Sequence, residues 1–389
     1  MASSGDLYTL MHGDVVAAEV RIDPDSGLIA KLASVLDPDH MPVGTVHDGR
    51  PDIARLKEWW SDRSIPMSRG GVGDLLAATG VSDTRALLPG SLGLCLSDRY
   101  WIRPAGSGIG WSEANMFDNP FSEDVGDALF CERTSVRNLR SPDVTTEGNL
   151  SKRWRIVGGE RVLFKGGTGF GQEPFDEAIA ARICEALRIP HVDYAVSWVD
   201  GRPYSVCPDF ITGRTELVTA YRVMMTRRRR NDESLRTHYV RCCADLGIDI
   251  VPSLDRMIVL DHLIGNWDRH TNNFGLVRDA ETLEWIGPAP IFDSGSSLGC
   301  DLPTEEIPHG AGIGSMPFKR RSSDQIALVT SFDWIDFDAL ESCYPDLERI
   351  LDSSRGLIDP ERRDAIMHFI RRRVTDLRVL AGQSEPVAR

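Results

Sequence analysis

Between residues 153 and 211 the apolar positions change period, and each change marks an element. Residues 153–157 (RWRIV) and 161–165 (RVLFK) are short runs of β-branched and large apolar side chains parted by Gly158-Gly159. That pattern predicts a β-hairpin ending at Lys165. In FDEAIAARICEALRIP, residues Phe175, Ala178, Ile179, Ile183, Ala186 and Leu187 recur at helical spacing. Pro174 suits the first turn, and Pro190 closes the helix. A second hairpin is predicted over 192–199 and 203–211, turning at Asp200-Gly201. The order is strand, strand, helix, strand, strand.

On the N-terminal side, residues 8–130 mix strand-like runs such as 15–22 with a helix-like stretch at 52–60, without a catalytic constellation. Segment 101–130 is rich in Gly, Pro, Asn and aromatics, which suits an ordered loop or docking surface as well as a boundary linker with buried aromatics. The polar stretch 131–151 suggests a boundary near 131–140. From residue 215 the pattern turns mainly helical. Leu254, Met257, Ile258 and Leu260 mark a helix over 253–264, and 360–380 is a long amphipathic segment. The expected organisation is α+β: an N-terminal α/β extension (1–130), a small β-rich part with one helix (131–211) and a large mainly helical part (212–389).

Composition narrows the chemistry. With 389 residues, 41% apolar and 26% charged, the chain has the make-up of a globular protein with a sizeable core. A formal charge of -14 repels phosphate backbones and anionic bilayers, so neither nucleic acid nor membrane is an expected direct partner. It also makes each well-placed lysine informative, because an anionic ligand then needs local cations. The eight cysteines show no C-x-x-C pair or zinc spacing and read as reduced thiols. No basic leader and no membrane-length apolar run is seen, and the expected location is cytoplasmic.

The densest polar cluster is LDHLIGNWDRHTNNFGLVRD (260–279), followed by PIFDSGSSL (290–298). Asp268 and Asn273 have the separation of the Asp and Asn in the kinase catalytic loop H-R-D-x-x-x-x-N. The turn-rich residues between predict a hairpin that returns Asp293 beside that loop. Phosphoryl transfer asks little covalent chemistry of a protein. It needs a carboxylate to orient the attacking hydroxyl and oxygen donors for Mg²⁺. Asp268 supplies the first, and Asn273 with Asp293 the second. The strand and helix order of 153–211 is likewise that of a protein-kinase small lobe.

Asp268, His270, Asn273 and Phe274 match D-x-H-x-x-N-F, and in this the chain resembles the HipA-like serine/threonine kinases, toxin-type bacterial enzymes. The likeness covers roughly residues 140–380 and implies a two-lobed protein-kinase-like fold, ATP and Mg²⁺ as cofactors, a Ser/Thr protein acceptor and an antitoxin-like partner. Carried over by position, Lys165 corresponds to the phosphate-binding lysine and Glu177 to its ion-pair glutamate. Cys207, Asp209 and Phe210 fall at the hinge that reads adenine through its backbone, with Phe210 over the ring. His270 reads as a loop-fixing hydrogen-bonder rather than a base. The family's compact Ser-Gly-x-Gln-x-Lys phosphate loop is replaced by SPDVTTEGNLSKRW (141–154), where Gly148 and Lys152 are the candidates. Self-phosphorylation, a family trait, would fall on Ser141, Thr145, Thr146 or Ser151.

Blander readings compete. Exposed Asp and Asn are usually turn residues, Lys165 can be a strand-end surface lysine, and Glu177 a first-turn glutamate favoured by the helix dipole. GGTGFG (166–171) lacks the dinucleotide-loop spacing and setting and reads as a mobile loop. Arg227–Arg230 reads as a solvated basic run. Two other functions stay open: a small-molecule or phosphoinositide-type lipid kinase, because D-R-H-x-x-N also fits that loop, and a catalytically inactive pseudokinase module.

Overall fold

The computed structural model describes residues 5–168, 170–310 and 313–382; Gly169, within the glycine-rich stretch 166–171, lies outside them. The longer strands are β1 (Asp6–His12), β2 (Val15–Ile22), β3 (Ile29–Val35), β4 (Tyr100–Pro104), β5 (Lys152–Val157), β6 (Glu160–Gly166), β7 (Ala195–Val199), β8 (Arg202–Pro208), β9 (Thr215–Thr219), β10 (Gly275–Asp279) and β11 (Trp285–Pro288). The longer helices are α1 (Ile53–Asp62), α2 (Glu173–Ala186), α3 (Leu235–Asp245), α4 (Val251–Ile264) and α5 (Pro360–Leu380). They fall into two compact units built from interleaved segments. The first is Met1–Lys165, Pro208–Arg229 and Leu276–Ile286, and the second Gly166–Cys207, Arg230–Gly275 and Gly287–Arg389.

In the first unit, β3-β2-β1-β4 form an antiparallel sheet. Helix α1 starts where the Asp52 carboxylate accepts the Ala54 and Arg55 N–H groups, and it buries Leu56, Trp59 and Trp60. These join Leu10, Val20, Trp101, Trp111 and Phe117 in one apolar cluster, with Phe121 and Phe130 half-buried against it, so most of the aromatic surface of 101–130 is taken up by a core. A buried polar line crosses the unit. His12 Nε2 meets Glu216 at 2.9 Å, Arg278 pairs with the same carboxylate, and Arg278 donates to the Tyr100 hydroxyl at 3.1 Å. Although burial opposes it, Arg278 and His12 hold Glu216 down to about 2. Strands β5 and β6 form the hairpin at Gly158-Gly159, both at positive φ, and its register sets Lys152 directly opposite Lys165.

In the second unit, β7 and β8 pair across Asp200-Gly201, whose φ values of 48° and 75° suit a tight hairpin turn. Helix α2 carries Pro174 in its first turn and is buried on almost every side, as are most residues of α4. Helix α5 packs against α4 and buries Ile366, Phe369 and Ile370. Among the described residues no helix is long and apolar enough to cross a membrane. The eight cysteines are present as thiols, seven buried and Cys131 exposed.

Candidate active site

Helix α4 brings Asp261 into the interior of the second unit and then stops at Gly265, whose left-handed conformation (φ 62°) lets its N–H reach the Asp261 carbonyl. A Cβ there would sit 2.9 Å from the Phe369 ring, so the turn needs glycine. The following loop is knotted by its own polar groups. Asn266 donates from Nδ2 to Asp261 Oδ1 (3.0 Å) and accepts the Asp268 N–H (3.0 Å). The Asp268 carbonyl accepts from His270 N–H (2.8 Å) and from Asn273 Nδ2 (3.0 Å). His270 Nδ1 accepts the Asn272 N–H at 3.3 Å.

The centre of the assembly is Arg269, which is 0% exposed. Its Nε and one terminal nitrogen donate to the Asp261 carboxylate at 3.0–3.2 Å, and the latter also reaches Ser294 Oγ at 2.9 Å. Its other terminal nitrogen donates to three carbonyls: Asn273 (3.1 Å), Asp293 (3.3 Å) and Phe292. Burial works against the guanidinium charge, but Asp261 outweighs it and holds Arg269 above its ordinary value. A single buried cation therefore joins the Asp268–Asn273 loop to the Asp293 segment. Ser294 N–H then donates to Glu177 Oε2 at 3.0 Å, which brings helix α2 into the same assembly. Gly295 passes so close to Glu177 and the Glu173 carbonyl that a Cβ would lie 3.2–3.3 Å from them.

Of the residues singled out in the sequence, the second unit thus gathers Glu177, Asp268, His270, Asn273 and Asp293, and also holds Cys207, which is buried. Lys165 (2% exposed), Lys152 (6%), Gly148, Asp209 and Phe210 belong to the first unit. Asp209 accepts the Ile211 N–H at 3.0 Å, and burial pushes its carboxyl up to about 8. Phe210 packs against the apolar cluster of that unit. Sequence reasoning passed over Asp261, Asn266, Arg269 and Ser294. The available signal was Asp261 inside the apolar run RMIVLDHLI: a carboxylate in that setting is buried and calls for a cation.

The donor set suits the groups that the catalytic-loop pattern implies. Mg²⁺ is commonly held by one or two carboxylate or amide oxygens plus phosphate oxygens. Asn273 and Asp293 offer two such side chains whose backbones meet at one guanidinium nitrogen. Among the described residues no group of three or more His, Cys, Asp or Glu side chains could hold a metal, so an all-protein cage is not on offer there. Two buried lysines directly opposite on one face of a hairpin suit a polyanion.

No family model matches the chain. The serine/threonine-protein kinase CtkA of Helicobacter pylori is 29% identical to it over 131 residues, 32% of this chain and 40% of CtkA, so the chain matches about two fifths of that relative's length. The HipA-containing structure of the Shewanella oneidensis toxin–antitoxin system, solved as a complex of HipA, HipB and operator DNA, is similar in fold. Its TM-score is 0.55 at 13% identity, over 97% of this chain and 98% of that one. The crystal structure of CtkA gives 0.46 at 17% identity over 59% and 94%.

Proposed function

We propose, on its partial sequence similarity to the kinase CtkA and its HipA-like fold, that the chain is an ATP- and Mg²⁺-dependent serine/threonine protein kinase. The observation that carries the reading is the Arg269 junction, which brings an Asp-x4-Asn loop, a second aspartate and a helix glutamate together in one buried assembly. In this reading Asp268 orients the acceptor hydroxyl and takes up its proton, and Arg269 keeps that loop in register with Asp293. Asn273 and Asp293 would hold Mg²⁺, which supplies charge neutralisation on the phosphates. Lys165 would secure the α- and β-phosphates, and the backbone of Cys207–Phe210 would read the adenine. The arrangement is two-lobed, with 131–211 as the small lobe, 212–389 as the large lobe and 1–130 as an extension.

The reading includes an antitoxin-like protein partner, by analogy with the HipA complex, and with a charge of -14 this chain would meet nucleic acid through that partner rather than by itself. The D-R-H-x-x-N form of 268–273 also favours a second reading, a small-molecule or lipid acceptor. Incubation of purified protein with a cell lysate and γ-labelled ATP separates the readings. Label in protein bands is the expected result. Label in the organic extract or in small molecules would move the acceptor to the second reading, and no transfer at all would leave an inactive binding module.

A further inference from the structure

The segment 141–151 stands where the phosphate loop is expected, yet its sequence is not that of the family loop. In the first unit it is gripped by residues of the N-terminal extension. Thr145 Oγ1 donates to the Leu94 carbonyl (2.7 Å), Ser68 Oγ to Asn149 Oδ1 (2.6 Å) and Arg69 Nε to the Gly148 carbonyl (2.8 Å). A terminal nitrogen of Arg69 also donates to the Thr146 carbonyl. Arg69 is 2% exposed. Burial lowers it to about 10, against the help of Asp143 and Glu147, so it remains a cation at neutral pH.

A trans peptide unit points its C=O and the next N–H in opposite directions. With the carbonyls of Thr146 and Gly148 both turned onto one guanidinium, the N–H groups of Glu147 and Asn149 are turned together to the other side. Neither has an acceptor among the described residues. Gly148, between them, has φ +92° and packs against the Lys152 ammonium, and a Cβ there would strike it. Lys152 stands opposite Lys165 on the β5–β6 hairpin. Paired N–H groups around a left-handed glycine, beside a lysine, make a concavity of the kind that binds anions.

We infer that Arg69 is a positioning residue of the nucleotide site: by holding two loop carbonyls it turns the Glu147 and Asn149 N–H groups, with Lys152, toward a terminal phosphate of ATP. This rests on the kinase reading and deepens it, and it gives the N-terminal extension a task in nucleotide binding. Arg69 is turned onto the loop's own carbonyls, so it shapes the loop while Lys152, with Glu147 beside it, and the backbone meet the anion.

The test compares ATP with adenosine, which lacks the phosphates. In the full chain Arg69→Lys keeps the charge but not the fork that spans two carbonyls. It should weaken Mg·ATP binding about tenfold, the size of one charge-assisted contact, and leave adenosine binding within about twofold. Equal losses for both ligands, or no loss for ATP, would overturn the inference. If the variant does not fold, hydrogen exchange of the wild-type 145–150 peptide decides. Mg·ATP should protect about two amides there and adenosine none, and an unprotected segment in an ATP-bound protein overturns the inference alone. Wild-type protein that binds neither ligand would instead overturn the kinase reading, and this inference with it.

Discussion

Replacing Arg269 by methionine keeps much of the side-chain length and removes the cation on which three carbonyls, a serine and a carboxylate converge. Asp261, 4% exposed, would be left buried without its partner, a situation that costs about 3–5 kcal/mol. Against a typical total stability of ~5–15 kcal/mol, Arg269→Met alone should be only marginally folded. Adding Asp261→Asn removes the stranded charge while keeping an acceptor for Asn266 Nδ2, and should return roughly 2–3 kcal/mol of the loss. Catalysis should not return. The backbones of Asn273 and Asp293 would still lack their common donor, and a misplacement of ~1 Å at such a site costs about 100-fold in rate. Urea melts and phosphoryl transfer measured on the same preparations give both numbers. A double variant that is stable and transfers phosphate at the wild-type rate would refute the positioning role, and a single variant losing less than about 1 kcal/mol would refute the buried ion pair.

Three further outcomes are expected. Asp268→Asn and Asp293→Asn should each abolish transfer in a folded protein, but only Asp293→Asn should weaken Mg²⁺-dependent nucleotide binding, as titration with Mg·ATP will show. Burial lifts Asp209 to about 8 from the ordinary 3.8 of an aspartate, so the folded chain keeps a proton there that the unfolded chain gives up. Its contribution to stability is full below about 4 and lost as pH rises toward 8, and Asp209→Asn should flatten that fall in denaturation midpoints taken from pH 5 to 8. Peptide mass mapping after incubation with Mg·ATP should find phosphate within 141–151 in wild type and none in Asp268→Asn. Ser141 and Thr145 are buried, so the half-buried Thr146 and Ser151 are the expected acceptors.

What could be read from the chain was what local chemistry dictates. Gly158-Gly159 and Asp200-Gly201 announced their hairpins because positive φ is required there, and Pro174 announced the start of α2 because a first turn tolerates its missing N–H. The strand drawn to residue 211 ends instead at Pro208, where the Asp209 carboxylate takes the Ile211 N–H and turns the chain. Asp268, Asn273 and Asp293 could be picked out by spacing. Arg269 could not, because an arginine in a polar turn looks solvated until the eight residues back to Asp261 are folded into a helix and a loop. The grip of Arg69 on Gly148 joins residues 79 apart, and no periodicity carries that information. Nor does a linear pattern mark compact units assembled from interleaved segments.

Seven of the cysteines are buried and only Cys131 is exposed. Burial pushes Cys95 and Cys343 up to about 11, which leaves almost none of either as the reactive thiolate at neutral pH. The native protein therefore arrives with a single addressable sulfur, beside Asp74 in the first unit. A maleimide dye placed there without any mutagenesis would act as a built-in reporter, lighting the unit that holds segment 141–151 while leaving the unit of Arg269 unlabelled.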